Sequence, residues 1–318
     1  MHTKIAANAA GIRRWLSKSE ECLGNHSDRL NAINIFPVAD GDTGTNLYLT
    51  IRSASNAAAV VESQDLGDVL EVAARAAMED ARGNSGTLFG VMLSAMAEPL
   101  HGSSRLTGPL LAAGLHRAQI RSWSALSDPV PGTMLSVLES CADAAAMAVQ
   151  MHADDSNAAL TETLNAVVEA AREAVVDTES QLSQLTEAHV VDAGGVGLLL
   201  ILDTLRAVVL SEELQGALLD GLSGYGVQSP HIHPDISSGD GVEVMCTVNL
   251  SPLDAAGLRA RLDELGDSVI MSAVTEVEEG YRWRLHVHVA EAEPVLDVIR
   301  LLADPHNVSV TSLSASSA

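Results

Sequence analysis

Two aspartates flank one glycine in Asp40-Gly41-Asp42. The loop runs from Asn34-Ile35-Phe36-Pro37-Val38-Ala39 before them to Thr43-Gly44-Thr45-Asn46 after them. Asp-Gly-Asp sets two hard oxygen ligands one residue apart across a flexible glycine. Thr-Gly-Thr-Asn adds hydroxyls, an amide and exposed backbone N–H groups. Mg2+ takes carboxylate oxygens together with substrate phosphates, and phosphate oxygens are received by backbone N–H groups at a helix start. One loop offers both, which is the chemistry of a Mg2+–nucleotide site. The same residue types also make ordinary turns, so the loop alone does not decide. It is not an EF-hand, because Leu47, Tyr48, Leu49 and Ile51 follow where further ligands would stand. It is not a Walker A loop, since no Gly-Lys-Ser/Thr occurs.

Three further glycine-bearing loops lead into apolar periodic segments. They are Ala81-Arg82-Gly83-Asn84-Ser85-Gly86, Val130-Pro131-Gly132-Thr133 and Val191-Asp192-Ala193-Gly194-Gly195-Val196-Gly197. Singly each is an interhelix turn. Together they would let several helix N-termini, each with positive partial charge and unpaired N–H groups, converge on a polyanion.

The elements that must position these loops are helices. Ile5, Ala9, Ile12, Trp15, Leu16 and Leu23 follow a helical stripe, as do Leu47, Ile51, Ser55 and Ala58. Similar patterns run through 66–78, 87–97, 109–120, 134–151, 158–176 and 196–210, which predicts a helical bundle or barrel over residues 1–215. Residues 216–241 are rich in Gly, Ser, Pro and Asp and read as a linker or long loop. The rest, 242–318, reads strand 242–250, helix to about 265 with Ser251 at N-cap and Pro252 at N1, strands 268–274 and 281–289, helix 291–303 and strand 307–313. This β-α-β-β-α-β order is the split βαβ, or ferredoxin-like, pattern. The expected fold class is therefore a two-domain α plus α/β chain.

Composition narrows the function. The 318 residues are 47% hydrophobic, 19% charged and 3% aromatic, which is a folded composition suited to closely packed helices. A net charge of −24 argues against nucleic-acid binding and anionic membrane surfaces. It also makes a divalent metal close to obligatory if ATP is held. Three cysteines, Cys22, Cys141 and Cys246, fit a reducing compartment without a disulfide framework. The N-terminus lacks an apolar signal region, and the most apolar stretch, 196–210, is broken by Asp203 and Arg206. A cytoplasmic protein with no stable membrane insertion is expected.

The four glycine loops together resemble the nucleotide-binding subunit of bacterial dihydroxyacetone kinase and, more closely, the catalytic subunit of bacterial fatty acid kinase. The resemblance spans about the first two thirds of the chain. It implies an eight-helix barrel holding ATP and Mg2+ at one end. It puts metal ligands on Asp40 and Asp42, with a weaker third on Asn34, where the dihydroxyacetone branch has aspartate. Asp40, Asp42 and Thr43 are the candidate catalytic positions, Thr43 standing where that branch has histidine. Thr45, Asn46, Asn84, Ser85 and Gly86 would hold phosphates, and Gly132, Thr133, Asp192, Gly194 and Gly195 would complete the nucleotide pocket. Asp80 replaces an expected glycine, placing an acid near the phosphate loop or in solvent.

His286-Val287-His288 lies on a predicted strand, where residues two apart share a face. Cys246 lies on the strand expected beside it, and Cys with two His suits Zn2+ with an open position. The middle domain of the fatty acid kinase catalytic chain resembles this region and implies zinc on Cys246, His286 and His288. Alternation opposes that set: Cys246 shares its face with Val242, Val244, Val248 and Leu250, while the histidines share theirs with Arg282 and Arg284. His231 and His233 are alternative ligands.

The function expected from the resemblance is ATP-dependent phosphorylation of an acyl carboxylate. The partner implied is a fatty-acid-binding carrier protein or a separate substrate-binding subunit, with a homodimer also open. The fatty acid kinase catalytic chain carries a further C-terminal domain, and no counterpart follows the middle domain here. The carrier is then expected to dock differently, a separate chain to supply the domain, or the acceptor not to be acyl. The other readings are a nucleotide-binding regulatory module without turnover and a dihydroxyacetone-kinase-like subunit.

Overall fold

The computed structural model describes residues 5–152, 154–226, 241–278 and 280–313. His231 and His233 lie outside the described residues. The first part is helical: α1 (Ala9–Ala32), α2 (Thr43–Ala59), α3 (Leu66–Asp80), α4 (Gly83–Leu100), α5 (Gly108–Ala125), α6 (Met134–Met151), α7 (Asn157–Gln181), the short α8 (Ser183–Ala188) and α9 (Ala193–Leu210). Side-chain caps set several starts. Asn8, Asp65, Thr107 and Ser156 each accept a backbone N–H from the first turn they precede. Each of α1 to α6 packs against the next helix, α7 packs against α9, and α9 returns to α1.

Small residues let these helices approach closely. A side chain at Gly90 would meet the Met78 side chain, and one at Gly44 would meet the Ser27 backbone on α1. Trp15, almost fully buried, donates its indole N–H to the Ile201 carbonyl (2.9 Å) and ties α1 to α9. By length and composition α9 alone among the described helices could cross a membrane, but 94% of that stretch is buried inside this protein. Its two charges are internally paired. Arg206 donates to the Asp203 carboxylate (2.7 Å), the Glu212 carboxylate and the Glu213 carbonyl, and Asp203 also accepts from the Gln215 N–H.

The second part is β1 (Val242–Leu250), α10 (Pro252–Leu265), β2 (Asp267–Val277), β3 (Gly280–Val289), α11 (Ala292–Arg300) and β4 (His306–Ser312). The sheet is antiparallel in the order β2-β3-β1-β4. Ser251 caps α10 and Pro252 starts it, as its sequence predicts. One sheet face packs Val244, Cys246, Val248, Leu285 and Val287 against Leu258, Leu262, Val295 and Ile299 of α10 and α11.

The other face turns toward the helices. Ile270 joins Met78, Val91 and Ala125 in a cluster shared by both domains. Around it the Ser127 N–H donates to the Val269 carbonyl (3.2 Å), Arg284 donates to the Ala81 carbonyl (2.6 Å), and Arg259 donates to the carbonyls of Ser124 and Ala125. Apolar contact with backbone-directed arginines fixes the second domain over the start of α4 and the end of α5.

Three helices start about a turn earlier than their apolar periodicity indicates, α2 at Thr43 among them. α4 begins at Gly83 and α9 at Ala193, so Asn84, Ser85, Gly194 and Gly195 occupy first helical turns. A first turn can carry Gly, Asn and Ser because its N–H groups need caps or ligands more than they need helix propensity. Truncating Ile270 to Ala is expected to cost about 2–5 kcal/mol in urea unfolding. A loss below about 0.5 kcal/mol, the range of surface changes, would contradict the shared cluster.

Candidate functional site

A cavity of about 660 Å³ opens between the helical domain and the sheet. Asn34, Asp40, Asp42, Thr43, Asn84, Ser85, Thr133, Asp192 and Gly194 line it, drawn from all four glycine loops. Phe36, Val38, Leu88, Leu126, Val130 and Val269 supply an apolar part, and Glu243, Asp267 and His288 come from the second domain.

The acidic loop keeps the Asp42 carboxylate out of helix capping. Gly41 adopts φ +68°, a left-handed turn that a side chain would oppose, and this carries the chain from Asp40 into Asp42. Asp42 stands at the N-cap of α2, yet its side chain caps nothing there. Asn31 of α1 does the capping instead, its amide oxygen accepting from the N–H groups of Gly44 (2.8 Å) and Thr45 (3.1 Å). Asn34 donates its amide N–H to Asp40, so it steadies that carboxylate.

Burial drives the Asp40 carboxyl up to about 7, with the charge of Asp42 next and that of Glu243 adding to it. Asp42 is raised as well, first by burial and also by Glu243, against the hydrogen bond from Asn46. Other carboxylates on the wall are Asp128, Asp192, Asp263 and Asp267, and among the described residues no Lys or Arg lines the cavity. Like charges held together in a desolvated place call for a cation. Paired carboxylates with room for phosphate fit Mg2+.

The starts of the helices differ in what they can still bind. At α9, Asp192 accepts the Gly195 N–H (2.7 Å), and burial raises its carboxyl to about 6 despite that bond. At α6, Thr133 accepts from the Leu135 N–H. The first-turn amides of α2 are taken by Asn31. α4 carries no side-chain cap. Its first turn is the most open anion receptor of the four.

Several expected site residues support the wall without lining it. Thr45 is exposed and accepts from the Asn31 amide. Asn46 is buried beside Gly83, where φ is +60° and an added Cβ would collide with its amide nitrogen. Gly86 packs on Thr50, and Gly195 serves the α9 cap. Gly132 takes φ +84° against Gln181 and donates its N–H to the Ser136 hydroxyl. Asp80 faces solvent and accepts from the Ser53 hydroxyl (2.8 Å).

The zinc set needs correction. Cys246 is fully buried in the core beneath α10 and α11, on the sheet face opposite the histidines, as strand alternation requires. Glu243, on the neighbouring strand, shares the histidines' face. It pairs with His288 across β1 and β3, and Glu243, His286 and His288 bring one ligand atom each within 4.8 Å of one another, all three buried. His286 Nδ1 lies 3.2 Å from Glu243 Oε1 without hydrogen-bonding geometry, and neither of its ring nitrogens has a hydrogen-bond partner. His288 is lowered to about 4, first by burial and then by His286. Glu243, Asn31 and Arg284 escaped the sequence reading. For Glu243 the available signal was parity: counting strand faces puts it, not Cys246, with the His pair.

A sign follows for pH. A carboxyl near 7 in the fold and near its ordinary value when unfolded weakens the fold as pH rises from about 4 to about 7, with no further change above. Mg2+ needs the ionised form. Melting temperatures should therefore show Mg2+ stabilisation that grows over that window and is absent in Asp40→Asn, whose metal-free form should melt higher than wild type at about pH 8. Equal Mg2+ stabilisation at about pH 5 and about pH 8 would contradict the assignment.

Residues 37–207 match the DAK2 domain, and residues 241–318 match the FakA-like middle domain of fatty acid kinase. Protein YloV of Bacillus subtilis is 28% identical over 86% of this chain and 50% of its own length. Protein SERP0792 of Staphylococcus epidermidis is 30% identical over 84% of this chain and 48% of its own. The chain spans about half the length of these curated relatives. Both parts of the molecule that wall the cavity thus have family counterparts: the chain belongs to the DAK2 domain family and joins that domain to a FakA-like middle domain.

Proposed function

We propose that this chain is an ATP-dependent phosphotransferase of the fatty acid kinase type, acting on an acyl carboxylate presented by a separate lipid-binding protein. The observation that carries the reading is the meeting of Asp40 and Asp42 with the uncapped start of α4 in one cavity. The packing of α1–α7 and α9, each on its neighbour and α9 back on α1, supports the eight-helix barrel that the family implies.

Phosphoryl transfer depends on positioning and charge compensation more than on covalent help from protein. Mg2+ held by Asp40 and Asp42 would neutralise the nucleotide phosphates. The first-turn N–H groups of α4 and the Ser85 hydroxyl would orient them, with Thr43 and Thr133 on the flanking wall. The apolar wall of Phe36, Val38, Leu126 and Val130 suits a nucleobase or an acyl end. An ionised carboxylate acceptor needs no general base. That agrees with Thr43 standing where the dihydroxyacetone branch uses histidine, and it favours the acyl reading over a hydroxy-ketone acceptor. The zinc expectation passes to Glu243, His286 and His288, whose unpaired ring nitrogens suit a metal.

The test is acyl-phosphate formation, trapped with hydroxylamine, from Mg-ATP, a fatty acid and candidate lipid-binding carriers. Wild type should form it, and Asp40→Asn should lose about 10²–10³-fold or more while keeping its circular dichroism spectrum. Undiminished transfer by Asp40→Asn would refute the site. Saturable Mg-ATP binding without transfer to any acceptor would leave a regulatory module in place of the enzyme.

A further inference from the structure

Arg284 is a buried cation that the mechanism above leaves unused. It stands on β3, is 4% exposed, and among the described residues no carboxylate forms an ion pair with it. Its guanidinium donates instead to the Ala81 carbonyl (2.6 Å) and to the Met245 sulfur (3.8 Å). Burying a guanidinium without a carboxylate is costly, and this chain, at net charge −24, has carboxylates in excess. The arrangement points to a task at the carbonyl that Arg284 holds.

We infer that Arg284 is a positioning residue of the nucleotide site: it holds the backbone before α4 so that the first turn of that helix receives phosphate, and through it the second domain sets the affinity for Mg-ATP; this rests on the nucleotide-site reading above. Three observations carry it. Ala81 is fully buried and lies just before Gly83, where α4 begins without a side-chain cap. Gly83 is held from the helical side: at φ +60° it packs against the Asn46 amide, and its carbonyl accepts from the Thr87 hydroxyl (2.9 Å). Arg284 supplies the hold from the sheet side, so its loss would leave a desolvated carbonyl that the turn must move to satisfy. The charge of the guanidinium also reaches both sides of the site, interacting with Glu243 of the cavity wall and with Asp80 and Arg82 beside the turn. A fixed positive charge behind an anion-receiving turn favours polyphosphate.

The experiment titrates Mg-ATP calorimetrically into the full chain and into its Arg284→Met, Arg284→Lys and Arg282→Met variants. Arg282 is the control, because it lies on the same strand and also crosses to the helical domain, but pairs with the Glu79 side chain (3.4 Å) and not with the turn. Arg284→Met should bind Mg-ATP about 10–100-fold more weakly, and Arg284→Lys, which keeps a charge and a donor, should lose about 3–10-fold. Arg282→Met should bind as wild type does. The rise in melting temperature caused by Mg2+ alone at about pH 8 should be the same in every variant, since Asp40 and Asp42 are not touched. Wild-type affinity in folded Arg284→Met, an equal loss in Arg282→Met, or loss of the Mg2+ effect together with ATP binding in Arg284→Met would overturn the inference. If Arg284→Met does not fold, Arg284→Lys decides: wild-type affinity overturns the inference, and weaker Mg-ATP binding with the Mg2+ effect intact upholds it. If wild type itself binds no Mg-ATP, the nucleotide-site reading fails as well; if wild type and the Arg284 variants bind it equally, only this inference fails.

Discussion

Asp40 and Asp42 share a cavity with Glu243 of the facing domain, and burial and the charge of Glu243 raise both aspartates, with no lysine or arginine on the described wall. The surrounding structure keeps them there. Gly41 makes the left-handed turn between the two aspartates. Asn31 caps α2 from α1, so Asp42 is spared the task usual for an N-cap aspartate. Asn34 donates to Asp40 and keeps it in place. Strain of this kind is what a cation site holds before the cation arrives.

The second domain shapes the site as well as covering it. Arg284 reaches from β3 to the Ala81 carbonyl, just before the first turn of α4, and Arg259 reaches the carbonyls that end α5. The shared cluster around Ile270 sits between these contacts. Because β3 also carries His286 and His288, one strand connects the first turn of α4 to the Glu-His-His cluster. Movement of the sheet would therefore be felt at the start of α4.

Much of this was legible in the residues. The boundaries of α6, β1 and α10 agree with the sequence reading, because strong apolar periodicity and the Ser-Pro start mark them locally. The four glycine loops were visible as strings, and each contributes to one cavity. The first turns of α4 and α9 were not visible as helix, since Gly, Asn and Ser read as loop until their helix is known. The role of Asn31 was hidden because its partners lie on another helix. Cys246 shows a different limit. Its chemistry attracted the metal assignment although strand parity opposed it, and the same count of faces pointed to Glu243, which the register sets opposite His288.

A nucleotide in this cavity would be held through metal, because the described walls offer carboxylates and helix-start amides in place of cationic side chains. Calorimetric titration of ATP into the chelated protein, with and without Mg2+, tests it most directly. The account predicts no detectable heat of binding without a divalent cation and a saturable one-to-one isotherm with Mg2+. Equally tight ATP binding in chelator would contradict it.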